Sequence, residues 1–544
     1  MQLNVQFPYE NDSFIHKYIH HDPSVLSFYD YDLTDKDSAS RYKELMSKTF
    51  EREKVIEALH AFNKKFHPSE RAYQQIERLK DPKSVTVVGG QQAGMLTGPL
   101  YTVHKIISIL LEAKNLESQL QVPVIPIFWI AGEDHDIDEV NHTYFYDGDH
   151  SKKIRISERN DVKTSASERY INTSEAKKAL KEAFQFLYET GFTKKLYDDL
   201  IDDINDEITY TEWCAKILHR LFKETDLVLM DAHDPNIRSI ETPYFTDMVE
   251  KNGSFTSAFL SQAAQFKENG LGEPISIEES NAHLFFHEGD QRFLLERTKT
   301  GYQEKQGQRA WTEKELVEEV RQGRLQLSNN VVTRPVMQDL LLPVHTFIAG
   351  PGELKYWGVL KEVFHCFDRC MPIVRPRLHL TFITRKSEKS LVKYDLDLKS
   401  ITVNGVESVK QSLIEADKTV DEHKVLTEAE KELKDWLNKV TSELTPLGKG
   451  MTPLNEQFKA KVDGELKTFE KNVHDYLMRK NETHLRRLDQ IEIEISPHGN
   501  WQERYLNIYP FLNLYGEDLA QKSFESILES SLDQVAGSHV YIYL

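Results

Sequence analysis

Cysteine is scarce in this chain, at three of 544 residues. That excludes a disulfide scaffold and suits a reducing compartment. Long apolar runs are missing as well. The most apolar stretch, Val122 to Ala131, is short and holds Pro123 and Pro126, whereas a membrane span needs about 20 apolar residues. Met1 to Asn11 lacks the basic-then-apolar order of a secretory leader. A soluble, cytoplasmic protein with no membrane contact is expected. Positive charge is in deficit: 68 Lys and Arg stand against 87 Asp and Glu, a formal net charge of -19. Such a surface repels polyphosphates, so no nucleic-acid partner is expected. The glycine loop described below matches neither the dinucleotide fingerprint nor a P-loop with its Gly-Lys-Ser/Thr.

What is present is enough apolar material for sizeable cores, 39% of residues, in a length that suits roughly three or four structural units. The first 80 residues read as charged helices, with one long helix from Arg41 to Phe66. Ser84 to Val88 is a β-branched run ended by Gly89-Gly90. Leu100 to Leu116 then has apolar residues at helical spacing, and Val124 to Ile130 is a second apolar run. Strand, glycine loop, helix, strand is a βαβ unit, hence a parallel sheet. Asp226 to Asp231 and Val344 to Ile348 read as further buried strands, Pro372 to Pro376 as the last, and Glu353 to Phe367 as a helix. Leu284 to Arg297 reads as a hairpin around Gly289-Asp290.

The predicted fold class is α/β: a Rossmann-like parallel sheet with two connective insertions and a long antiparallel coiled-coil arm. The boundaries are 1–144 for N-terminal helices and the first part of the core, 145–225 for a mainly helical first insertion, and 226–250 for a core strand and loop. The second insertion, with the hairpin, spans 251–330. The second part of the core is 331–385, the arm 386–491, and a C-terminal segment packed on the core 492–544. In the arm, Ala429, Leu433, Trp436, Val440 and Leu444 recur at steps of three and four, as do Phe458, Val462, Leu466, Phe469, Val473 and Leu477. Helix breakers lie between the two sets, at Pro446 to Pro453. A continuous second helix from Leu454 to Ile491 would be about 57 Å long.

Three junctions concentrate polar residues at predicted strand ends, where open α/β sheets bind ligands. The first is Gly89 to Pro99, with Gly90, Gln91, Gln92, Thr97 and Gly98, followed by Tyr101 and His104. Its glycines admit a ligand to the backbone, and the helix start offers N–H groups to an anion. The second is Glu133-Asp134-His135-Asp136, in which histidine beside aspartate suits proton transfer; the competing reading is a solvated acidic loop. The third is Gly350 to Trp357, with Glu353, Lys355 and Tyr356, and with Arg334, Arg375 and Arg377 near strands of the same sheet. These cations pair with carboxylates, either a substrate's or the protein's own. His365, Cys366 and Cys370 read as ordinary core or partly buried residues, and no tightly bound metal is expected.

Thr97 to His104 resembles the first ATP-site motif of class I aminoacyl-tRNA synthetases, with Tyr101 at the first histidine, Val103 at the glycine and His104 at the second histidine. Arg385 to Ser390 is a poor echo of the second motif. A resemblance over nearly the whole chain rests on five segments together: Gly89 to Gly94, Thr97 to Thr102, Phe128 to Asp136, Gly350 to Trp357 and Trp501 to Phe511. These resemble the cysteine ligase family of bacillithiol biosynthesis. The resemblance implies a homodimer formed through the arm and a ligase that joins cysteine to the amine of glucosaminyl-malate. Activation of a carboxylate implies ATP, with Mg2+.

On that reading, the Gly90–Thr97 loop and the helix start hold an anionic group. His104, Asp134, His135 and Asp136 orient or deprotonate the amine, and Arg334, Lys355, Arg375 or Arg377 pair with the malate carboxylates. Val103 fills the space where a synthetase seats adenine. The nucleotide is therefore expected elsewhere, against the arm or the aromatic C-terminal segment, with Trp501, Arg504, Tyr505 and Tyr509 as its residues. The alternative is a non-catalytic dimeric scaffold on a degenerate synthetase-like core.

Overall fold

A computed structural model describes residues 1–158, 163–305, 307–530 and 536–544. Five parallel strands form the central sheet: β1 (Val85–Gln91), β2 (Val124–Ile130), β3 (Val228–Asp231), β4 (Val344–Ala349) and β5 (Ile373–Pro376). Their order across the sheet is β3-β2-β1-β4-β5, the doubly wound Rossmann order. Every residue of β2 is buried, which is why this strand is a continuous apolar run and not an alternating one. Helix α1 (Tyr101–Leu120) follows β1, and α2 (Pro351–Trp357) follows β4.

The first insertion carries a hairpin, His142–Tyr146 with Ser151–Arg155, ahead of its helices. The second contributes a five-stranded antiparallel sheet built around the hairpin Asn281–Glu288 and Gln291–Arg297. By contacts the chain divides into two units, Met1–Arg385 with Asn500–Leu544, and Lys386–Gly499. Among the described residues, no helix is long and apolar enough to cross a membrane.

Five sequence expectations need correction. The N-terminal stretch is not all helix, because Gln2–Gln6 is a strand. It pairs antiparallel with His539–Tyr543, which in turn runs parallel to His379–Ile383. The long helix from Arg41 is two helices, Asp35–Leu45 and Arg52–Lys64; the Ser47 hydroxyl bonds the Glu44 carbonyl where the first ends. The helix expected over Glu353 to Phe367 breaks after Trp357. Gly358 sits there, and a Cβ on it would come within 2.7 Å of the Phe266 ring.

The second arm helix is also interrupted. Met451–Lys480 ends at Asn481, and Glu482–Ile495 begins after it. Thirty residues span about 45 Å. Within this unit Leu437 and Thr441 are buried, and Leu433, Val440, Val462, Leu466, Val473 and Leu477 are half-buried in the seam. Trp436, Phe458 and Phe469, expected in that seam, stay exposed at 52%, 42% and 56%. The 30-residue helix has no buried residue at all.

Burial holds several imidazoles in the main unit neutral. His219, His283, His345 and His379 are pushed down to about 4, and His539 to about 3. An unfolded histidine protonates near 6.5. Between pH 6.5 and 4 the unfolded chain therefore takes up protons that the folded chain refuses, and stability falls as pH falls. The slope reaches at most about 1.4 kcal/mol per pH unit for each histidine. Asp231, Asp339 and Glu241, which burial pushes up to about 6, 6 and 8, act in the opposite sense but are fewer, so the urea midpoint is still expected to drop from pH 7.5 to 5. A midpoint unchanged down to pH 5 would contradict this account.

Candidate functional site

Strand order reverses between β1 and β4, and open sheets of this kind bind ligands in the crevice at that point. A cavity of about 650 Å3 lies there. It is lined by the loops after β1, β2 and β4, by Phe285, Arg292 and Asn329 to Val331 of the second insertion, by Arg334, and by Arg377 and Arg504. A second chamber of about 400 Å3 shares Gln91, Gln92, Tyr101 and Arg504 with it and extends to Thr97, Thr102, Thr143 and Tyr144.

The floor depends on a close approach of two strands. A Cβ on Gly90 would stand 2.6 Å from the Trp129 carbonyl oxygen, so only glycine fits. Beside it Lys105 donates from Nζ to the Gly90 carbonyl at 2.6 Å and to Glu353 Oε2 at 2.5 Å. Glu353 Oε2 also accepts the Gly350 N–H at 2.7 Å, closing the start of α2. Burial pushes the Lys105 ammonium below its usual value, and Glu353 opposes that.

The loop after β1 is strained. Leu96 and Thr97 have φ of 53° and 72°, followed by Gly98 at 71°, and non-glycine residues rarely adopt this region. Asn507 holds the loop by donating to the carbonyls of Leu96 at 3.0 Å and Gly98 at 2.7 Å. Strain of this kind gathers at functional sites. The loop delivers the N-terminus of α1, which has no side-chain cap, to the second chamber. Thr97, Thr102 and Thr143 line that chamber, and their hydroxyls are buried without a hydrogen bond among the described residues.

Guanidinium groups set the electrostatics. Arg292 is 5% exposed. It donates to Ser328 Oγ at 3.0 Å and to the Asn329 carbonyl, lies 3.4 Å from His135 Nδ1, and sits over the Phe285 ring at 3.8 Å. All of these partners are neutral, and burial pushes Arg292 down to about 10. Arg334 donates to the Tyr356 hydroxyl at 2.5 Å. Among the described residues neither Arg292, Arg334 nor Arg504 has an ion-pair partner. The His135 imidazole is also pushed down, by burial first and then by Arg292. Accepting from Arg292 at Nδ1 places the ring's own proton on Nε2, so this histidine presents a donor. Asp134 lines the cavity beside it, and its Oδ2 shares the Gln92 amide, at 3.3 Å, with Glu139 at 2.7 Å.

Of the residues expected from sequence, Gly90, Gln91, Gln92, Tyr101, Asp134, His135, Arg334, Glu353, Tyr356, Arg377 and Arg504 meet at the first cavity, while Thr97 and Gly98 line the second. Others are elsewhere. His104 is fully buried and donates from Nδ1 to Glu503 Oε2 at 3.0 Å. Asp136 is exposed and caps the short helix Ile137–Val140. Lys355 lies against the Gly272 turn, and Arg375 faces Glu112 at 3.1 Å. Trp501 packs edge-on against His379, with Tyr9 and His539 also beside it. Tyr505 stacks on Tyr144 at 4.0 Å, and Tyr509 is buried beside Phe184. Val103 is fully buried and lines neither chamber. Burial pushes the Cys214 thiol up to about 12, which rules out a thiolate nucleophile there.

Sequence reasoning missed Lys105, Arg292 and Asn329, and named Glu133 only as part of the acidic run without a role. Glu133 is buried and pairs with Arg238 at 2.5 Å. Asn329 is 2% exposed, lines the cavity, and has neither side-chain atom hydrogen-bonded among the described residues. The indole N–H of Trp129 is in the same condition. Lys105 follows Tyr101 by four residues inside the apolar run Val103 to Ile107, and a lysine on a buried helical stripe was the available signal.

Comparison with known proteins matches residues 1–378 to the family described as bacillithiol biosynthesis BshC, N-terminal Rossmann-like domain. Residues 380–536 match the C-terminal coiled-coil domain of the same family. A protein of Bacillus licheniformis named "Putative cysteine ligase BshC" is 35% identical over 522 residues, covering 96% of this chain and 97% of its own length. Proteins of the same name from Bacillus cytotoxicus and Bacillus cereus strain Q1 are each 34% identical, over 507 and 511 residues, covering 93% of this chain and 94% of theirs.

Proposed function

The chain belongs to the bacillithiol biosynthesis BshC family, and from that premise we propose that it is an ATP-dependent ligase joining the cysteine carboxylate to the amine of glucosaminyl-malate. The observation that carries this reading is the set of guanidiniums on the first cavity. Buried Arg292 and half-buried Arg334 point to an anionic ligand, because a buried cation without an ion-pair partner is costly and arginine pairs bidentately with carboxylates; Arg504 is exposed and adds its charge to the lining. On a chain of net charge -19 such a concentration draws a dicarboxylate to this crevice.

Amide formation from a free carboxylate is uphill in water. In the proposed reaction a phosphoanhydride bond of ATP breaks as the cysteine carboxylate takes on a phosphate-bearing leaving group. The sugar amine attacks the acyl carbon, the C–N bond forms, and the leaving group departs with the C–O electrons. Asp134 accepts the amine proton, and His135 donates from Nε2 to the substrate. The second chamber suits the phosphates of ATP: Arg504, three unpartnered threonine hydroxyls and an uncapped helix start all favour an anion. Glu139, on the lining of the second chamber, offers an oxygen ligand of the kind Mg2+ takes. The placement of phosphates replaces the expectation of base stacking on Trp501 and Tyr509, whose rings are already covered or buried.

Purified protein supplied with cysteine, glucosaminyl-malate and ATP is expected to form bacillithiol, read by mass spectrometry, with nucleotide consumed in step. Arg334→Gln is expected to raise KM for glucosaminyl-malate by roughly 10- to 100-fold while leaving KM for cysteine unchanged. No product from the wild-type protein, or an equal loss for both substrates, would overturn the assignment.

The reading includes a homodimer through the arm. Trp436, Phe458 and Phe469 are large, exposed and outside the seam within the arm, and an apolar stripe of that kind marks a protein contact. Trp436→Ser with Phe469→Ser is expected to convert a dimer to a monomer in light scattering. A dimer that survives the double substitution would place the interface elsewhere.

A further inference from the structure

Three residues far apart in sequence meet behind the first cavity. Glu168 comes from the first insertion, His233 from the loop after β3, and His287 from the hairpin of the second insertion. One potential ligand atom from each lies within 4.8 Å of the other two. We propose that Glu168, His233 and His287 form a site for a divalent transition metal, best suited to Zn2+, which ties both insertions to the carboxyl end of β3.

The spacing and the donor chemistry carry this. His233 Nε2 and Glu168 Oε2 are 3.3 Å apart. That is the edge, about 3.3 Å, of a tetrahedron whose bonds to zinc are near 2.0 Å. The two histidines are 7% and 8% exposed. His287 Nε2 is hydrogen-bonded to Ser328 Oγ at 2.9 Å, which fixes the ring; in the tautomer with the proton on Nε2, Nδ1 is the lone-pair nitrogen. Nδ1 is buried and has no hydrogen-bond partner among the described residues. A buried imidazole nitrogen facing a carboxylate and a second imidazole, oriented by a hydrogen bond on its far side, is the arrangement of a metal ligand. Glu168 Oε2 is oriented in turn by Ser165 Oγ at 3.0 Å.

Charge around the cluster agrees. Glu133, Asp231, Asp234 and Glu241 are all buried in the adjoining shell, against the two guanidiniums of Arg238 and Arg292. Burial pushes Glu241 up to about 8, so Glu133, Asp231 and Asp234 stand against the two guanidiniums, and Glu168 brings the excess to two negative charges, which a dication offsets. His233 Nδ1 lies 3.4 Å from Arg238 Nη2. In the metal-free chain Arg238, an obligate donor, sets the His233 proton on Nε2, where it faces Glu168; a metal bound at Nε2 moves that proton to Nδ1, and Arg238 then turns from the ring to Glu133 and Glu241, already its partners at 2.5 and 2.9 Å. Two nitrogens and one oxygen leave a fourth position for water.

The test uses full-length protein stripped with chelator and titrated with Zn2+ or Co2+ alone, so it does not depend on the proposed reaction. One equivalent is expected to bind with a Kd on the order of 1 µM or below. Co2+ should give the intense visible bands of a four-coordinate site, and Zn2+ should raise Tm. His287→Gln and Glu168→Gln are each expected to weaken binding by roughly 100-fold or more. Circular dichroism reports their folding, and Glu168, whose side chain is 35% exposed, is the safer of the two. The proposal is overturned if wild-type protein binds neither ion at 100 Kd-equivalents of that range, on the order of 100 µM, or if both variants bind as wild type does. It is equally overturned if binding is lost in His365→Ala instead, since Asp30, His365 and Cys370 form the other such cluster among the described residues.

Discussion

Replacing Arg292 by methionine is expected to weaken binding of glucosaminyl-malate by about 100-fold while leaving the protein at least as stable as before. The two effects separate because the guanidinium serves the ligand and not the fold. Arg292 is hydrogen-bonded only to neutral partners; Glu133 and Asp134 act on it from a distance but neither pairs with it, and a buried charge of that kind costs several kcal/mol of desolvation that hydrogen bonds only partly return. Methionine keeps contact with Phe285 and removes the charge. Buried ionic groups exchanged for apolar ones of similar volume are commonly neutral or stabilising by about 1–4 kcal/mol. A carboxylate that loses its bidentate partner loses about 2–4 kcal/mol, or roughly 30- to 1,000-fold in affinity. Titration calorimetry with glucosaminyl-malate and a thermal melt give the two readings. A destabilised variant with unchanged affinity would make Arg292 a structural residue.

The second large effect is expected from Glu503→Gln, and it falls on stability. Glu503 is fully buried and accepts from Arg377 at 2.6 Å on each oxygen, from His104 at 3.0 Å and from His379 at 2.8 Å. Tyr9 completes the chain by donating to His379 Nε2 at 2.5 Å. Burial alone would raise the Glu503 carboxyl, but Arg377 and then His379 hold it well below the usual carboxylate range. The neutral amide leaves the Arg377 charge buried without compensation, a loss of about 3–5 kcal/mol. Adding Arg377→Met to Glu503→Gln is expected to restore a large part of that loss in urea unfolding. If the double variant is no more stable than the single one, the two side chains are not coupled as described.

The central sheet was legible because its strands are buried on both faces. Val124 to Ile130 and Val85 to Val88 are apolar without alternation, and glycine or proline bounds them. The hairpin around Gly289-Asp290 was legible from its turn. The three loops at strand ends were found by their glycines and their density of polar residues, and most of their members do line the cavity.

The residues misplaced from sequence share a cause. His104, Arg375 and Asp136 belong to suitable chemical types in suitable segments, but the phase of α1, the pleat of β5 and the cap of the helix Ile137–Val140 decide where each side chain goes. His104 turns to Glu503, one residue away from Lys105, which turns to the cavity. The residues missed altogether, Arg292 and Asn329, come from an insertion that folds back over the crevice, and no local pattern records such a return. The cluster of Glu168, His233 and His287 is hidden for the same reason.

The pairing of Gln2–Gln6 with His539–Tyr543 has a consequence for the order of synthesis. The main unit consists of Met1–Arg385 together with Asn500–Leu544, so its two parts leave the ribosome separated by the whole arm. Glu503, the carboxylate beneath Arg377, and the strand that joins Gln2–Gln6 to His379–Ile383 both belong to the later part. Helical hairpins depend on local contacts and form quickly, whereas contacts between distant segments form slowly. The arm can thus be folded while the older part of the chain still waits with Arg377 uncompensated and a sheet edge open. Until residue 543 is translated that edge can pair with another chain, and the nascent protein is a natural client for chaperones.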